Sequence, residues 1–352
     1  MAGNALEICV KGKYFTVPAL SVKGENIILR GRFIRIAIVH AEEWLETELE
    51  DPEECINQLK GCHPDGLKAD IFTFTQKLPA IEPKYPYPVE WDSVAAIRIT
   101  NFTEWWETKL PQETRKNVRR AVKRGVVTKV QPLDEELIRG IVELNNESPM
   151  RQGKPYDHYG KTFLEVKKDQ SSFPDRSDFI SAYSGQELIG FTKIVYRGEI
   201  GTILQFIIKN GAYDKRPANA LIAKAVEHCI HKGMSYLVYG MYVYGNKRET
   251  SLVEFKKRNG FEEFLVPRFY VPLTVKGRIA MALKIHRDLV GIIPESVIHL
   301  GLKIREKWFK LKFLVSRCSS TLERPRCNRQ MECSIPPAGS NLSESKKNIK
   351  HS

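Results

Sequence analysis

Residues 126–274 alternate strand-forming and helix-forming segments in an order that constrains the fold. The clearest helix is expected over Ala218–Lys232, where Leu221, Ile222, Ala225, Val226, Cys229 and Ile230 share one face and Gly233 ends the run. It lies between two strand candidates. Thr202–Ile208 is rich in β-branched and aromatic residues, and Ser235–Val243 follows the helix. A strand, a helix and a second strand in succession read as a crossover within one sheet. Ahead of them come a strand at Val126–Val130, helices at Asp134–Glu147 and Tyr159–Asp169, and a hairpin of Asp178–Tyr183 with Glu187–Tyr196. A short helix, Ser251–Arg258, and a strand, Phe264–Leu273, complete the series. The fold class is therefore α/β, a mixed α+β sheet with helices packed on it.

The first 125 residues also alternate short strand and helix signals, with no internal sequence repeat. Asn26–His40, Ala69–Thr75 and Ser93–Thr100 read as strands, and Asp51–Gly61 as a helix opened by Asp51-Pro52. A helix over Trp105–Arg124 is expected to carry two basic rows. Arg115, Arg119 and Lys123 form one, and Lys116, Arg120 and Arg124 the other. Each steps by four, so they share a face, while Leu110, Val118, Ala121 and Val122 supply the docking side. The rows suit RNA phosphate or another anion, or simply a solvated helix face.

Charge is unevenly spread. Residues 271–352 hold 16 Lys and Arg against 6 Asp and Glu, so they carry most of the net +13. Helices are expected at Lys276–Leu289 and Pro294–Val315, and a disordered tail at Ser316–Ser352. The stripe Val297, Ile304, Trp308, Leu311 and Val315, beside Lys303, Lys307 and Lys310, fits an anionic membrane surface or packing onto the body. No run of eighteen apolar residues suggests a membrane-spanning helix, and the N-terminus lacks the form of a secretory signal. The 7 cysteines are odd in number and lack metal-site spacing, which reads as free thiols, a reducing cytoplasmic setting and no metal.

Three stretches carry a family likeness: Thr114–Gly125, Thr202–Lys232, and Phe255-Lys256-Lys257-Arg258-Asn259-Gly260-Phe261. Together with the element order they resemble the GCN5-related N-acetyltransferase (GNAT) superfamily, in the branch of the Fem-type peptidyltransferases and related acyltransferases. The resemblance implies an acyl-CoA N-acyltransferase-like domain at 126–274 and a reduced, loosely similar copy of the fold at 1–125. A helical basic extension at 275–315 and the tail at 316–352 would follow. It implies transfer of an acyl group from acetyl-CoA or another acyl-CoA to an amine acceptor. Two alternatives remain open: a non-catalytic protein holding an anionic partner, membrane or RNA, and an aminoacyl-tRNA-dependent transferase.

The same likeness maps the site. The family's phosphate loop falls at Tyr213, Arg216 and Ala218, where only Ala218 fits the pattern, so Lys215, Arg216, Ala218 and Asn219 are the donor-binding candidates with Lys256 of the Phe-Lys pair. Pro217 removes one amide donor from this loop. His158 is the candidate base because imidazole titrates near neutrality, and Glu147 is the alternative. Tyr242 is the candidate proton donor to the leaving thiolate. Arg151, Gln152, Tyr159, Gln205 and Tyr239 are expected to meet the acceptor. Each has a plain structural alternative: a surface histidine, a helix-end carboxylate, or a core tyrosine with its hydroxyl satisfied.

Overall fold

The computed structural model describes residues 4–287, apart from 11–12, 43–44, 47, 62–66, 152–153 and 244–249. In chain order its elements begin with β1 (Asn4–Val10), β2 (Lys13–Val22), β3 (Glu25–Arg30), β4 (Ile36–Val39), α1 (Pro52–Lys60), β5 (Ile71–Thr75) and β6 (Val89–Arg98). Next come α2 (Phe102–Glu104), a π turn at Trp105–Lys109, α3 (Gln112–Lys123), β7 (Val126–Gln131) and α4 (Glu135–Asn145). Then follow β8 (Met150–Arg151), β9 (Lys154–Pro155), α5 (Phe163–Gln170), β10 (Ser177–Ser184), β11 (Glu187–Arg197) and β12 (Ile200–Ile208). The series ends with α6 (Pro217–His231), β13 (Tyr236–Met241), α7 (Ser251–Arg258), β14 (Glu262–Pro272) and α8 (Val275–Ala282).

Twelve strands form one mixed sheet in the order β1-β2-β3-β4-β5-β14-β6-β13-β12-β11-β10-β7. Its two ends follow one plan. Toward one end β1 to β4 run antiparallel, and α1 leads to β5, parallel to β4. Toward the other, β7, β10, β11 and β12 run antiparallel, and α6 leads to β13, parallel to β12. Each half then lends its last strand to the other: β14 lies between β5 and β6, and β6 between β13 and β14. This exchange fuses the halves through continuous backbone hydrogen bonds.

Period-two alternation sorts side chains to the two faces. On one face of the second half, Leu221, Ala225, Val226 and Cys229 of α6 are fully buried with Ile180, Ile194 and Leu237. On the other, α4 and α5 bury Leu137, Ile141 and Val166 against Phe179 and Phe191. Each such large apolar side chain contributes roughly 1.5–3 kcal/mol on leaving water. In the first half, Cys55, Ile56 and Leu59 of α1 pack on Phe72, Phe74 and Phe269.

Some expected boundaries shift. The helix expected from Trp105 to Arg124 breaks at Leu110-Pro111, because proline has no N–H for the ladder, and restarts as α3. Val122, expected on its docking side, is 66% exposed. The helix expected from Tyr159 begins at Phe163, where Thr162 and Glu165 form a capping box after Gly160 at φ 80°. The helix expected from Lys276 runs as α8 only to Ala282. Pro294–Val315, the tail and Gln152 lie outside the described residues.

Candidate functional site

The two parallel pairs open differently. β12 and β13 pair only at Ile200–Thr202 with Tyr236–Val238, although β12 continues to Ile208 and β13 to Met241. The ladders on both sides slip at this level. The β11–β12 register shifts across Leu204, and the β13–β6 register shifts between Val238 and Met241, with Gly240 at φ 57°. Bulges bend strands, and here they flank the place where the pair separates. Beyond these residues β12 and β13 no longer pair as a ladder, and the separation between them is the candidate slot.

In the first half the corresponding opening is filled by the chain itself. β4 and β5 pair over Ile36–Ile38 and Ile71–Thr73. Beyond that, the Glu42 carboxylate accepts from the Thr75 amide at 2.6 Å and from Arg268 at 3.0 Å. Arg268 also holds Asp92 at 2.7 Å, and the Lys77 ammonium donates to the Glu42 carbonyl. The separation of β12 and β13 in the second half is therefore the candidate site.

That slot has an aromatic side. Phe206 of β12 lies 5.7 Å from the rings of both Tyr239 and Phe255, and Tyr239 lies 5.8 Å from Phe261. Lys256 is enclosed beside them, its Nζ 2.5 Å from the Met241 carbonyl and 4.8 Å from the Tyr239 ring centre. Burial pulls its ammonium down to about 8. Lys256 is thus enclosed beside Tyr239 and not on the solvent-facing surface. Tyr242 continues from β13, tied by its N–H to the Ser93 carbonyl at 2.7 Å; burial raises its phenol.

At the start of α6 the donor candidates separate. Lys215 donates to Ser184 at 2.6 Å, and Asn219 donates to Asn259 at 2.9 Å, locking α6 to the end of α7. Arg216 is exposed and holds a left-handed φ of 59°, and Pro217 takes the first helical position. The amides of Ala218 and Asn219 sit in the first turn of α6, next to Arg216.

Across the sheet, the loop from α4 to α5 forms a second wall. Glu147 accepts from the amides of Asn210 and Gly211 at 2.8 and 3.0 Å and meets Arg151 at 3.4 Å. Arg151 also donates to the Ile208 and Leu144 carbonyls. Both residues are spent on fixing this loop to the end of β12. Tyr159 is exposed. His158 stands with its Nδ1 3.4 Å from Asp169, which also accepts from Tyr14 at 2.8 Å and Lys161 at 2.5 Å. Burial works against the Asp169 charge, but the neighbouring His158 and the bonds from Lys161 and Tyr14 outweigh it and hold the carboxyl at about 2. The next residue, Gln170, donates to Gln205 at 2.7 Å, joining this wall to β12 beside the bulge.

Sequence reasoning missed Lys193, Asp169, Gln170 and Tyr14. Lys193 is buried in β11 opposite Gln205 and donates to the Gln170 and Ser172 carbonyls at 2.6 and 2.5 Å. Burial lowers its ammonium to about 8. A lysine within the apolar run of β11 was its one visible signal.

The basic helix α3 docks through Thr114 and Ala121, with Thr114 bonded to the Arg258 carbonyl at 2.6 Å. Lys116, Arg119 and Lys123 are exposed on its opposite side, away from the slot; Arg124 reaches Asp214 ahead of α6. Among the described residues no group of His, Cys, Asp and Glu is placed to hold a metal ion, and no helix is long and apolar enough to cross a membrane.

No protein-family model and no curated protein matches the chain. Solved structures do. The C-terminal domain assigned to a lysylphosphatidylglycerol synthetase of Agrobacterium fabrum is similar at 12% identity, over 76% of this chain and 87% of that one, with a TM-score of 0.51. L-PGS from Bacillus licheniformis is similar at 15% identity, over 78% and 89%, with a TM-score of 0.50. FemX is similar at 11% identity, over 80% and 90%, with a TM-score of 0.49. These likenesses give the architecture alone: the chain shares the fold of the lysylphosphatidylglycerol synthetase C-terminal domain and of L-PGS.

Proposed function

We propose that the chain is an N-acyltransferase that holds an acyl-CoA in the slot between β12 and β13 and passes the acyl group to an amine. The observation that carries this reading is the loss of β12–β13 pairing beyond Thr202 and Val238, between two bulged ladders. An extended amide-bearing arm can bond there to strand edges, as a missing strand would. Arg216 and the amides of Ala218 and Asn219 are the phosphate partners at the helix start.

The amine enters beside the α4–α5 loop. His158, its Nδ1 directed to Asp169, takes the amine proton at Nε2. The amine nitrogen bonds to the thioester carbon, and the C–S bond breaks. The enclosed Lys256 ammonium steadies the oxyanion. Tyr242, whose phenol stays protonated because burial raises it, returns a proton to the departing thiolate.

Calorimetric titration with acetyl-CoA and CoA tests the donor. Saturable binding is expected, weakened about tenfold by Arg216→Ala through loss of a charged phosphate contact. Lys215→Ala should weaken it less, because Ser184 already engages that ammonium. A second reading, an aminoacyl ester carried on tRNA, draws on the loop itself, which lacks the family glycine and has proline at its first helical position. Absence of CoA binding at millimolar ligand, with transfer from aminoacyl-tRNA, would replace the first reading by the second.

A further inference from the structure

We propose that the solvent face of α3, with the groove beside it, is a docking surface for an anionic lipid membrane. The inference goes beyond the transfer chemistry and does not depend on it.

The face combines two features. The first is uncompensated positive charge. Arg115 is paired with Glu107, Arg120 with Glu113, Arg124 with Asp214, and Lys224 with Glu227. Lys116, Arg119 and Lys123 stand exposed, and among the described residues none of them has a carboxylate within ion-pair distance. The second is apolar surface set among these charges. A groove of about 220 Å³ runs between α3 and α6; its apolar lining includes Phe102, Trp106, Val118 and Val122, and the paired Lys224 and Glu227, with Thr128, line it too. Val122, one turn from Val118 on the rim, is 66% exposed.

A polyanion such as RNA would use the cations and gain nothing from the groove. Nor does it find a stacking platform, because Trp106 is already covered. Phe102 stacks on it at 5.7 Å and 19°, and the Arg119 guanidinium lies 6.0 Å from its ring centre. A bilayer uses both features. Lys116, Arg119 and Lys123 meet headgroup phosphates while Val122 and the groove rim enter the acyl boundary.

The test is sedimentation of the full chain with vesicles of phosphatidylcholine alone and of an equimolar mixture with phosphatidylglycerol. Binding is expected only to the mixture. Lys116→Gln/Arg119→Gln/Lys123→Gln should weaken it about a hundredfold, roughly fivefold per charge. Val122→Gln changes no charge and should weaken it about fivefold. Circular dichroism confirms that the variants fold. The proposal is overturned if the wild type ignores the mixed vesicles. It is overturned if the triple variant binds as well as wild type, which would place binding elsewhere, as in the basic residues 271–352. It is also overturned if Val122→Gln binds normally while RNA displaces the vesicles, which would make the face a polyanion site.

Discussion

If Glu42 plugs the first half's opening, removing it should cost far more than an ordinary carboxylate. Its side chain is 9% exposed and bonds to the Thr75 amide at 2.6 Å and to Arg268 at 3.0 Å. Glu42→Ala leaves a buried amide without that acceptor, at about 1–3 kcal/mol, and breaks a buried ion pair, at about 3–5 kcal/mol. The two overlap, so a loss of about 4 kcal/mol is expected. For a slope of about 3 kcal/mol/M, that moves the urea midpoint down by roughly 1.3 M. Glu42→Gln keeps an acceptor for Thr75 and should lose about half as much. Arg268→Met strands Glu42 together with Asp92, whose carboxyl burial already pushes up. Protonating Asp92 relieves that repulsion, so the Arg268→Met deficit should shrink from pH 7 to pH 5. A Glu42→Ala loss below about 1 kcal/mol would refute the plug, since exposed pairs are worth that little.

Other outcomes follow from the same contacts. Lys193 is held at about 8 by burial, below an unfolded value near 10.4, so between these the unfolded chain binds the extra proton and stability rises with pH. Wild type should therefore gain about 1–2 kcal/mol over Lys193→Met between pH 7.5 and 9.5 in urea titrations, and a flat difference would contradict this. Gly277→Ala should destabilise despite alanine's better helix propensity, because the new Cβ would lie 2.0 Å from the Asp70 carbonyl oxygen. The loss is expected at about 2–3 kcal/mol in the same assay, and a gain would mean α8 does not pack as described. If His158 is the base proposed above, Asp169→Asn should lower the transfer rate more than donor affinity, measured as separate kcat and KM effects, because Asp169 lies 3.4 Å from His158 Nδ1.

Much of this architecture was legible in the sequence. The apolar stripe of α6 predicted the crossover between β12 and β13, and Asp51-Pro52 and Gly61 marked both ends of α1. Pro111 was a visible break in the α2–α3 region that the four-residue spacing of the basic rows concealed. The strand exchange between β6 and β14 leaves no local signal, because period and propensity report neighbours in sequence and not partners in a ladder. The family likeness led to Lys256 and to the loop before α6, but spacing could not reveal that Lys256 is enclosed or that Glu147 and Arg151 are taken up by backbone groups. The His158–Asp169–Tyr14 cluster joins β2 to α5 across 155 residues of chain, a separation no pattern in one sequence bridges.

The most direct test of the slot is amide hydrogen exchange with and without saturating acetyl-CoA. The account predicts slowed exchange at Leu204–Ile207, Ala218–Asn219 and Tyr239–Met241, with Ile36–Val39 and Ile71–Thr75 unchanged, because Glu42 fills the first half's opening. Protection confined to the first half, or none at millimolar acetyl-CoA, would contradict it.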